Sequence, residues 1–276
     1  MMLIADSGST KTTWVLTEKG DTFATEGLNP HFTSDESFLA ACSAVSQHYQ
    51  LSTINYQLYF YGAGCGSEAQ RERVKLLLAK AFPSADIYVE TDLLGACRAL
   101  CGHSAGLVGI LGTGSNACFY DGRAVAFQPS STGYILGDHG SANHVGRRLL
   151  QDYLSGVMPH RVSVMFHDAY PLTKEQFIDR VYHQPNANRF LASLSPVAVQ
   201  HQDDEYLYSV VYSSLCDWHR YQLAPAVDHS ACRDLSILGG FASRIEPILR
   251  VFAADHGLTL RSVAPDPVAG LLAFSL

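Results

Sequence analysis

The sequence has few charged residues. Asp, Glu, Lys and Arg make up 16% of its 276 residues, against about 25% in a typical globular protein. Intrinsically disordered chains and coiled coils both need more charge than this. The sequence therefore predicts a folded chain with a sizeable core, in one large domain or two of moderate size.

Basic residues are the scarcer of the two kinds of charge. There are 19 Lys and Arg against 26 Asp and Glu, which gives a formal net charge of −7, and no run of Lys or Arg occurs. Proteins that bind nucleic acid or an anionic membrane normally carry a basic patch. Both partners are therefore poor candidates, although backbone amides and a metal ion can still hold a phosphate.

Long apolar runs and paired cysteines are also missing. No run reaches the roughly 18 apolar residues of a membrane helix, and no basic segment precedes an apolar one at the N-terminus. The 7 cysteines form no C-x-x-C pair, and Cys97 and Cys101 are expected to be small apolar residues on one helix face. These absences predict a protein of the reduced cytoplasm.

Two glycine-rich turns each follow a short apolar strand. The segment 6–10, Asp-Ser-Gly-Ser-Thr, comes after the strand at 3–5, and the segment 112–115, Gly-Thr-Gly-Ser, comes after the strand at 107–111. A second strand follows each turn, so one hairpin unit occurs twice as a weak internal repeat. Such turns expose backbone amides that can grip a polyphosphate, but neither matches the Walker motif.

Strands and helices alternate along the rest of the chain. Ser34 is expected to cap a helix that runs to about Gln50, and helices are expected at 93–101, 203–223, 241–256 and 267–274. Capping boxes are predicted for Ser67 with Gln70 and for Thr173 with Gln176. Gly239 and Gly240 stand between a strand at 235–238 and the helix after it, where a ligand can approach the backbone closely.

Together, three of these segments resemble the nucleotide-binding loops of the actin-like ATPase superfamily, which includes sugar kinases and heat-shock chaperone ATPases. Segment 6–12 is similar to its first phosphate loop, 112–116 to its second, and 238–242 to its adenosine loop. The resemblance implies an α/β fold of two ribonuclease H-like domains with a cleft between them. The expected domains are 1–104 and 105–264, with a C-terminal helix at 265–276 that packs back on the first.

Within the superfamily, the chain resembles the N-acetylglucosamine kinase group, also called the BadF/BadG/BcrA/BcrD ATPase family. Segment 27–31, Gly-Leu-Asn-Pro-His, is similar to its sugar-binding loop, and Thr91-Asp92 to the segment with its catalytic aspartate. Segment 137–142 resembles its G-D-E-G-S-A stretch, and Gly133-Tyr134 a glycine-aromatic pair that lines the sugar. His139 stands where the family pattern has Glu, which changes the local charge.

The resemblance implies a role for each matching residue. Asp92 would be the catalytic base that takes a proton from a sugar hydroxyl, although its position alone is also typical of a helix N-cap. Asp6 would be the metal ligand, and the cofactors would be ATP and Mg²⁺. The nucleotide-binding residues would be Ser7, Gly8, Ser9, Thr10, Lys11, Gly112, Thr113, Gly114, Ser115, Gly239, Gly240 and Phe241. The substrate-binding residues would be Asn29, Gly64, Asp92, Thr113, Gly133, Tyr134, Asp138 and Ala142.

The activity implied is ATP-dependent phosphorylation of an amino sugar. The leading candidate is conversion of N-acetylglucosamine to its 6-phosphate, with glucosamine and N-acetylmuramic acid as close competitors. One alternative is an ATPase that activates a dehydratase or reductase and carries a cluster bridged by subunit cysteines. Here, however, no cysteine stands directly before the second phosphate loop. Another is a silent sugar or nucleotide sensor, at which the His139 departure hints. The apolar, helical second half is compatible with a homodimer.

Overall fold

The computed structural model describes residues 1–8, 10–51 and 55–275. The chain divides into two compact units, one formed by Met1–His103 with Pro267–Leu276 and the other by Ser104–Asp266. Each unit contains one five-stranded sheet. Within the described ranges, no helix is both long and apolar enough to span a membrane.

The described residues of the first unit form five strands and four helices. The strands are β1 (Met2–Ser7), β2 (Lys11–Leu16), β3 (Thr22–Glu26), β4 (Tyr56–Gly62) and β5 (Ala85–Thr91). The helices are α1 (Asp35–Tyr49), α2 (Glu68–Ala81), α3 (Asp92–Cys101) and, from the end of the chain, α14 (Val268–Ser275). The strand order is β3-β2-β1-β4-β5, and β1, β4 and β5 are parallel. Their carboxyl ends therefore lie at one edge of the sheet.

The second unit has more helices around its sheet. Its strands are β6 (Gly106–Leu111), β7 (Ser115–Tyr120), β8 (Val125–Phe127), β9 (Asp234–Leu238) and β10 (Thr259–Ala264). Its helices are α4 (Gly133–Leu136), α5 (Ala142–Leu154), α6 (His160–Ala169), α7 (Lys174–Tyr182), α8 (Ala187–Ala192), α9 (Pro196–Gln200), α10 (Glu205–Trp218), α11 (Ala224–Ser230), α12 (Gly240–Arg244) and α13 (Glu246–Asp255). A π-helical turn, His219–Leu223, joins α10 to α11.

The two sheets have the same topology, which confirms the internal repeat predicted from the glycine-rich turns. In the second unit the order is β10-β9-β6-β7-β8. The first strand of each unit, β1 or β6, is antiparallel to its hairpin partner and parallel to the strand on its other side. This duplicated α/β arrangement is the predicted fold class, the two-domain actin-like ATPase fold.

Each unit buries its own hydrophobic core. The strands β1 and β6 are buried on both faces because helices cover the sheets, so they read as continuous apolar runs. The largest buried aromatic side chains are Trp14, Phe38, Phe60 and Phe82 in the first unit and Trp218, Tyr120, Phe166, Phe177 and Phe252 in the second. These cores hold the strand ends, and hence the loops after them, in place.

Most of the helix signals in the sequence are confirmed. Ser34 caps α1 by accepting a hydrogen bond from the Ser37 amide. Thr173 and Gln176 form the complete capping box at the start of α7. The box predicted for Ser67 and Gln70 is only half formed, because Ser67 accepts from the Gln70 amide while Oε1 of Gln70 has no hydrogen-bond partner.

One expectation from the sequence is wrong at the level of single elements, and two further elements were not predicted. The helix predicted at 241–256 is two helices, α12 and α13, because Pro247 in the first turn of α13 cannot supply an amide to a continuous helix. Strand β10 was not predicted, since Arg261 and the exposed residues around it hide the apolar alternation of this edge strand. Helix α6 also lacked a capping signal, because Pro159 at its N-cap makes no side-chain hydrogen bond.

Helix α14 packs against α3, the helix that begins at Asp92. Gly270 lies so close to Ala99 that a β-carbon there would overlap the Ala99 carbonyl. Arg98 of α3 donates a hydrogen bond to the Tyr61 hydroxyl at 3.0 Å, and its guanidinium lies 5.5 Å from the ring centre of Phe274. The end of the chain therefore supports the helix that carries the candidate base.

Replacing Gly270 by alanine should destabilise the protein by about 1–3 kcal/mol, the usual cost of overpacking a filled contact. The overlap is with backbone, which cannot move aside as a flexible side chain would. Urea unfolding measures the effect as a lower midpoint. Gly66→Ala is the matched control, because a β-carbon there meets no atom within 4 Å, and its midpoint should stay nearly unchanged. Equal midpoints for both variants would contradict this packing.

Candidate functional site

The first glycine turn begins at the carboxyl end of β1. Ser7 is fully buried, and its hydroxyl lies 2.9 Å from that of Thr12. The Leu28 amide donates to both hydroxyls, at 3.2 Å each. The Ser7 side chain thus ties this turn to the 27–31 loop, so any contact of Ser7 with a nucleotide falls to its backbone.

The other residues predicted for this turn differ in exposure. Asp6 is half-buried near the end of β1, and Lys11, the first residue of β2, is exposed. The Gly8 amide donates to the Lys11 carbonyl at 3.0 Å, and the Thr10 carbonyl accepts from the Gly27 amide. Ser9 lies outside the described residues.

Asn29 and Gly64 lie against each other. A β-carbon at Gly64 would overlap Oδ1 of Asn29, and Gly64 has a φ of +86°, so only glycine fits there without strain. Asn29 is 6% exposed, and its Oδ1 accepts a hydrogen bond from the His31 amide at 3.0 Å. Two residues predicted to bind sugar, one on the 27–31 loop and one on the turn after β4, are thus neighbours.

Asp92 is the first residue of α3, directly after β5. The N-cap of this helix is Thr91, whose hydroxyl accepts a hydrogen bond from the Leu94 amide at 3.1 Å. Asp92 accepts from the Leu93 amide at 2.8 Å through Oδ1. The interpretation of Asp92 as the N-cap is therefore wrong, because the residue before it already fills that role.

The electrostatic surroundings of Asp92 favour a proton acceptor. Burial raises the pKa of its carboxyl above the ordinary value, although the hydrogen bond from Leu93 opposes the rise. Burial also raises the pKa of the Cys65 thiol to about 12, with a further contribution from the Asp92 charge. Cys65 therefore stays protonated beside Asp92 and does not compete with that carboxylate for a proton.

Sheet register brings these residues of the first unit to one edge. Ser7 of β1 pairs with Gly62 of β4, and Gly62 pairs with Thr91 of β5. The first glycine turn, the turn at 62–66 and Asp92 all follow directly after that row. Ligand sites of parallel sheets form at such carboxyl edges, where loops of neighbouring strands meet.

The second glycine turn exposes two backbone amides. The Gly112 amide donates to the Gly114 carbonyl at 2.9 Å, and the Gly112 carbonyl accepts from the Ala142 amide at 3.0 Å. In the part of the chain that the structure describes, the amides of Thr113 and Gly114 have no acceptor. Successive unpaired amides form an anion-binding concavity, whereas the amide of Ala142 is already used.

Asp138 connects the second glycine turn to the 137–142 loop. Its Oδ1 accepts from the Ser115 amide at 3.3 Å and its Oδ2 from the Asn143 side chain at 3.1 Å. Burial raises the pKa of Asp138, and these two hydrogen bonds partly offset the rise. Asp138 has a φ of +52°, a conformation that non-glycine residues rarely adopt outside constrained sites.

Asn143 is a site residue that the sequence did not indicate. It is fully buried, and its Nδ2 donates to the Thr113 carbonyl at 2.6 Å as well as to Asp138. One side chain therefore holds both the second glycine turn and the 137–142 loop. Its position directly after the G-D-H-G-S-A stretch was the only local signal available.

The predicted glycine-aromatic pair forms the start of α4. Gly133 is exposed with a φ of +71°, and Tyr134 is half-buried against the core of its unit. Arg147 of α5 donates to the carbonyls of Tyr134 and Ile135, at 3.2 and 3.0 Å. Arg147 therefore supports the predicted sugar-binding pair Gly133-Tyr134. Like Asn143, it lies on α5, the helix that begins at the end of the 137–142 stretch.

His139, in the 137–142 loop, and His144, at the start of α5, are both neutral rings. Nδ1 of His144 accepts from the Gly140 amide at 3.1 Å, so the neutral ring carries its proton on Nε2, which lies 4.0 Å from Asp217. Burial lowers the pKa of His144 to about 3. Burial also lowers the pKa of His139, in spite of the opposing charge of Asp217.

His144 should make the protein less stable in acid. Because its folded pKa lies below the unfolded value of about 6.5, its contribution is complete above pH 6.5 and is lost as the pH falls toward 3. Between pH 6.5 and 5 the free energy of unfolding should fall by about 2 kcal/mol through this group. Urea unfolding at both pH values measures it. The fall should be smaller in His144→Gln, and an equal fall in both proteins would contradict the prediction.

The predicted adenosine loop follows the same register logic in the second unit. Ile110 of β6 pairs with Leu238 of β9, and Leu238 pairs with Ala264 of β10. Gly239 comes next, with a φ of +135°, and a β-carbon there would overlap the Leu111 carbonyl. The glycine thus lets the adenosine loop and the second glycine turn meet at the carboxyl edge of the sheet.

Gly240 and Phe241 differ from Gly239 in their surroundings. A β-carbon at Gly240, or at Gly112, would meet no atom within 4 Å. Phe241 is 7% exposed and its side chain packs into the hydrophobic core. Gly112 and Gly240 therefore leave the backbone open to a ligand, whereas the Phe241 ring supports the loop from below.

Solved structures resemble this chain along its whole length. A Porphyromonas gingivalis protein described as a candidate N-acetylglucosamine kinase is 38% identical with a TM-score of 0.92, and the match covers 99% of this chain and 98% of that chain. A Chromobacterium violaceum protein of the same description is 18% identical with a TM-score of 0.73, covering 100% and 98%. A glucokinase of the ROK family from Streptomyces griseus, in complex with glucose and AMPPNP, is 16% identical with a TM-score of 0.60, covering 99% and 97%.

The last two likenesses concern the fold alone. No family model and no curated protein matches the chain. The Porphyromonas protein is different, because its 38% identity extends over nearly the full length of both chains. With the duplicated sheet topology and the loops at both sheet edges, this likeness places the chain in the N-acetylglucosamine kinase-like family of the actin-like ATPase superfamily.

Proposed function

We propose that the protein is an ATP-dependent kinase of an amino sugar. The observation that carries the proposal is Asp92: Thr91 caps α3, so the Asp92 carboxyl is not needed for that role, and burial raises its pKa toward the range of a useful base. Membership in the N-acetylglucosamine kinase-like family supports the same reaction.

In the proposed reaction, Asp92 accepts the proton of the sugar hydroxyl as its oxygen attacks the γ-phosphorus of ATP. The bond from that phosphorus to the β-phosphate oxygen breaks, and ADP leaves. Phosphoryl transfer requires mainly positioning and charge stabilisation. The proposed reaction therefore needs no covalent intermediate with the protein, and one well-placed base is sufficient for the proton. The hydrogen bond from the Leu93 amide to Oδ1 orients the Asp92 carboxyl in this proposed step.

Backbone groups are the proposed phosphate ligands. The unpaired amides of Thr113 and Gly114 supply donors in the second unit, and Gly112 and Gly240 leave room for a ligand against the backbone. In the first unit, Lys11 is exposed beside the first glycine turn. This explains how an acidic protein can bind a nucleotide without a basic patch.

Asp6 is the proposed carboxylate for Mg²⁺. Among the described residues, no group of three or more His, Cys, Asp or Glu side chains could hold a metal by itself. Mg²⁺ needs no such group, because it keeps several waters and takes one or two carboxylates together with phosphate oxygens. The half-buried Asp6 fits that requirement, and the ion would offset negative charge on the phosphates.

The proposed acceptor is the 6-hydroxyl of N-acetylglucosamine. Asn29, Gly64 and Asp138 are the proposed polar contacts of the sugar, and Gly133 with Tyr134 is the proposed wall. Paired hydrogen-bonding groups of this kind discriminate strongly among hydroxyls, because a missing partner leaves a buried polar group unsatisfied. Glucosamine and N-acetylmuramic acid differ from N-acetylglucosamine in substituents, which pocket shape must distinguish.

Release of ADP from Mg-ATP in the presence of single sugars tests the proposal. We expect turnover only with an amino sugar, with the highest kcat/KM for N-acetylglucosamine over glucose, glucosamine, N-acetylmuramic acid and N-acetylmannosamine. Hydrolysis that is independent of sugar would favour an ATPase activator. Binding of AMPPNP and sugar without ADP release would favour a sensor.

A further inference from the structure

A π-helical turn lies between α10 and α11. In the turn His219–Leu223 the Ala224 amide donates to the His219 carbonyl, five residues earlier. Pro225 follows in the first turn of α11, and a proline in a continuous α-helix clashes with the carbonyl four residues before it. The wider turn avoids that clash. Such single π-turns are rare and often occur at functional sites.

Gln222 of this turn contacts the second glycine turn directly. The Ser115 hydroxyl donates a hydrogen bond to Oε1 of Gln222 at 3.1 Å, across 107 positions of sequence. Both side chains are almost completely buried. Because the hydroxyl proton of Ser115 is donated to Gln222, this side chain anchors the second glycine turn and does not bind a ligand through that proton. The unpaired amides of Thr113 and Gly114 are then the groups available for a phosphate.

Tyr221 contacts the other loop of the unit. Its ring stacks on His139 with 4.4 Å between the ring centres and 24° between the planes. His139 also lies edge-on to His144 at 5.3 Å. A glutamate, the residue of the family pattern, has no ring and could not stack in this way. The histidine at position 139 therefore makes a contact with Tyr221 that the family residue could not make.

Trp218, the last residue of α10, packs against both the 137–142 loop and the strand before the second glycine turn. A β-carbon at Gly140 or at Gly109 would overlap the Trp218 side chain. Gly140 belongs to the 137–142 loop, and Gly109 lies in β6, which leads into the second glycine turn. The end of α10 and the π-helical turn thus support the two loops through three side chains, those of Trp218, Tyr221 and Gln222.

We propose that Gln222 and Tyr221 are positioning residues, which the π-helical turn presents to the second phosphate loop and to the 137–142 loop. Gln222 orients Ser115 so that the Thr113 and Gly114 amides face a phosphate. Tyr221 holds the His139 ring and with it the loop that contains Asp138. The inference rests on the proposed kinase function for the identity of the ligands, and its contacts are measured independently of turnover.

The first test is the affinity for AMPPNP, measured by calorimetry without turnover. Gln222→Leu should weaken binding about tenfold, the factor of one ordinary hydrogen bond. Gln222→Met removes the acceptor oxygen but keeps the length of the side chain, so it should weaken binding as Gln222→Leu does. The leucine substitution should add nothing in a Ser115→Ala background, since the two residues act as one pair.

Tyr206→Phe is the matched control for Gln222→Leu. It removes another hydrogen bond of α10, from the Tyr206 hydroxyl to Asp152 at 2.7 Å, and should leave AMPPNP affinity unchanged. If Gln222→Leu lowers thermal stability as Tyr206→Phe does but leaves the affinity within twofold of wild type, the role of Gln222 is structural and the proposal is overturned. Absence of AMPPNP binding by the wild type would also overturn the phosphate-loop half.

The second test follows His139 by NMR of its ring protons. Stacking on Tyr221 should shift these resonances upfield, and Tyr221→Leu should remove the shift while Tyr221→Phe keeps it. The KM for the sugar should rise in the leucine variant only. Identical His139 resonances in wild type and Tyr221→Leu would overturn the stacking half. If the wild type releases no ADP with any sugar, the kinase proposal fails. The His139 resonances still test the positioning role of Tyr221 in that case.

Discussion

Replacing Asp92 by asparagine should lower sugar-dependent ADP release about 10²–10⁴-fold, the usual contribution of a general base. Asparagine keeps an oxygen that can accept from the Leu93 amide, so the loop should retain its shape. The loss should therefore appear in kcat, with little change in AMPPNP affinity. Steady-state kinetics and calorimetry on the same preparation measure the two effects.

The same substitution should leave the protein as stable as wild type or more so. Because burial raises the folded pKa of Asp92, the folded state disfavours the charged form, and the charge lowers stability at neutral pH. Asparagine removes that cost. A large loss of thermal stability in Asp92→Asn would contradict the raised pKa of this carboxyl. A kcat close to that of wild type would rule out its catalytic role.

The pH dependence of the reaction should report the same carboxyl. Only the ionised form of Asp92 accepts a proton, so kcat/KM should fall as the pH decreases through its raised pKa. The fall should begin at a higher pH than an ordinary aspartate would give. Asp92→Asn should lose this limb of the profile.

Replacing Gly239 by alanine should have the largest effect among the loop glycines. The φ of +135° is almost closed to other residues, and the new β-carbon would overlap the backbone carbonyl of Leu111. We expect a loss of roughly 3 kcal/mol or more in the free energy of unfolding, since conformational strain and overpacking add. AMPPNP binding should be lost as well, because the two loops at this sheet edge can no longer meet.

Gly240→Ala is the matched control, one residue away. A β-carbon there meets no atom within 4 Å, so the unfolding midpoint should remain close to that of wild type. AMPPNP affinity should nevertheless fall, because the methyl group enters the space proposed for the nucleotide. Equal stability losses in both variants would contradict the described loop. Unchanged affinity in Gly240→Ala would contradict its place beside the nucleotide.

Much of the fold could be predicted from the sequence because its signals are local. Apolar runs that end in glycine-rich turns identified β1 and β6, and side-chain caps identified the starts of α1 and α7. Strand β10 was missed because an edge strand has little apolar alternation, and Arg261 there pairs with Asp234 at 2.9 Å. Its partner strand, not its own composition, makes it a strand.

The candidate site was only partly predictable for the same reason. Motif residues such as Asp92 and Gly239 carry a local signature of strand end and turn. Asn143 has only its place directly after the 137–142 stretch. Gln222 and Tyr221 carry no such signature, because their partners lie on other elements, in the case of Gln222 and Ser115 107 positions away.

The sequence by itself determined the repeated hairpin unit, the glycine turns after its strands and the position of a carboxylate after β5. Each of these depends on residues within a few positions of one another. Only the tertiary structure decided that Thr91, not Asp92, caps α3, that Gly239 and not Gly240 is sterically essential, and which side chains hold the loops. The capping of α3 depends on the exact geometry of four successive residues, which their order alone does not fix. The other two outcomes depend on distances between atoms remote in the chain, which local patterns of residues do not encode.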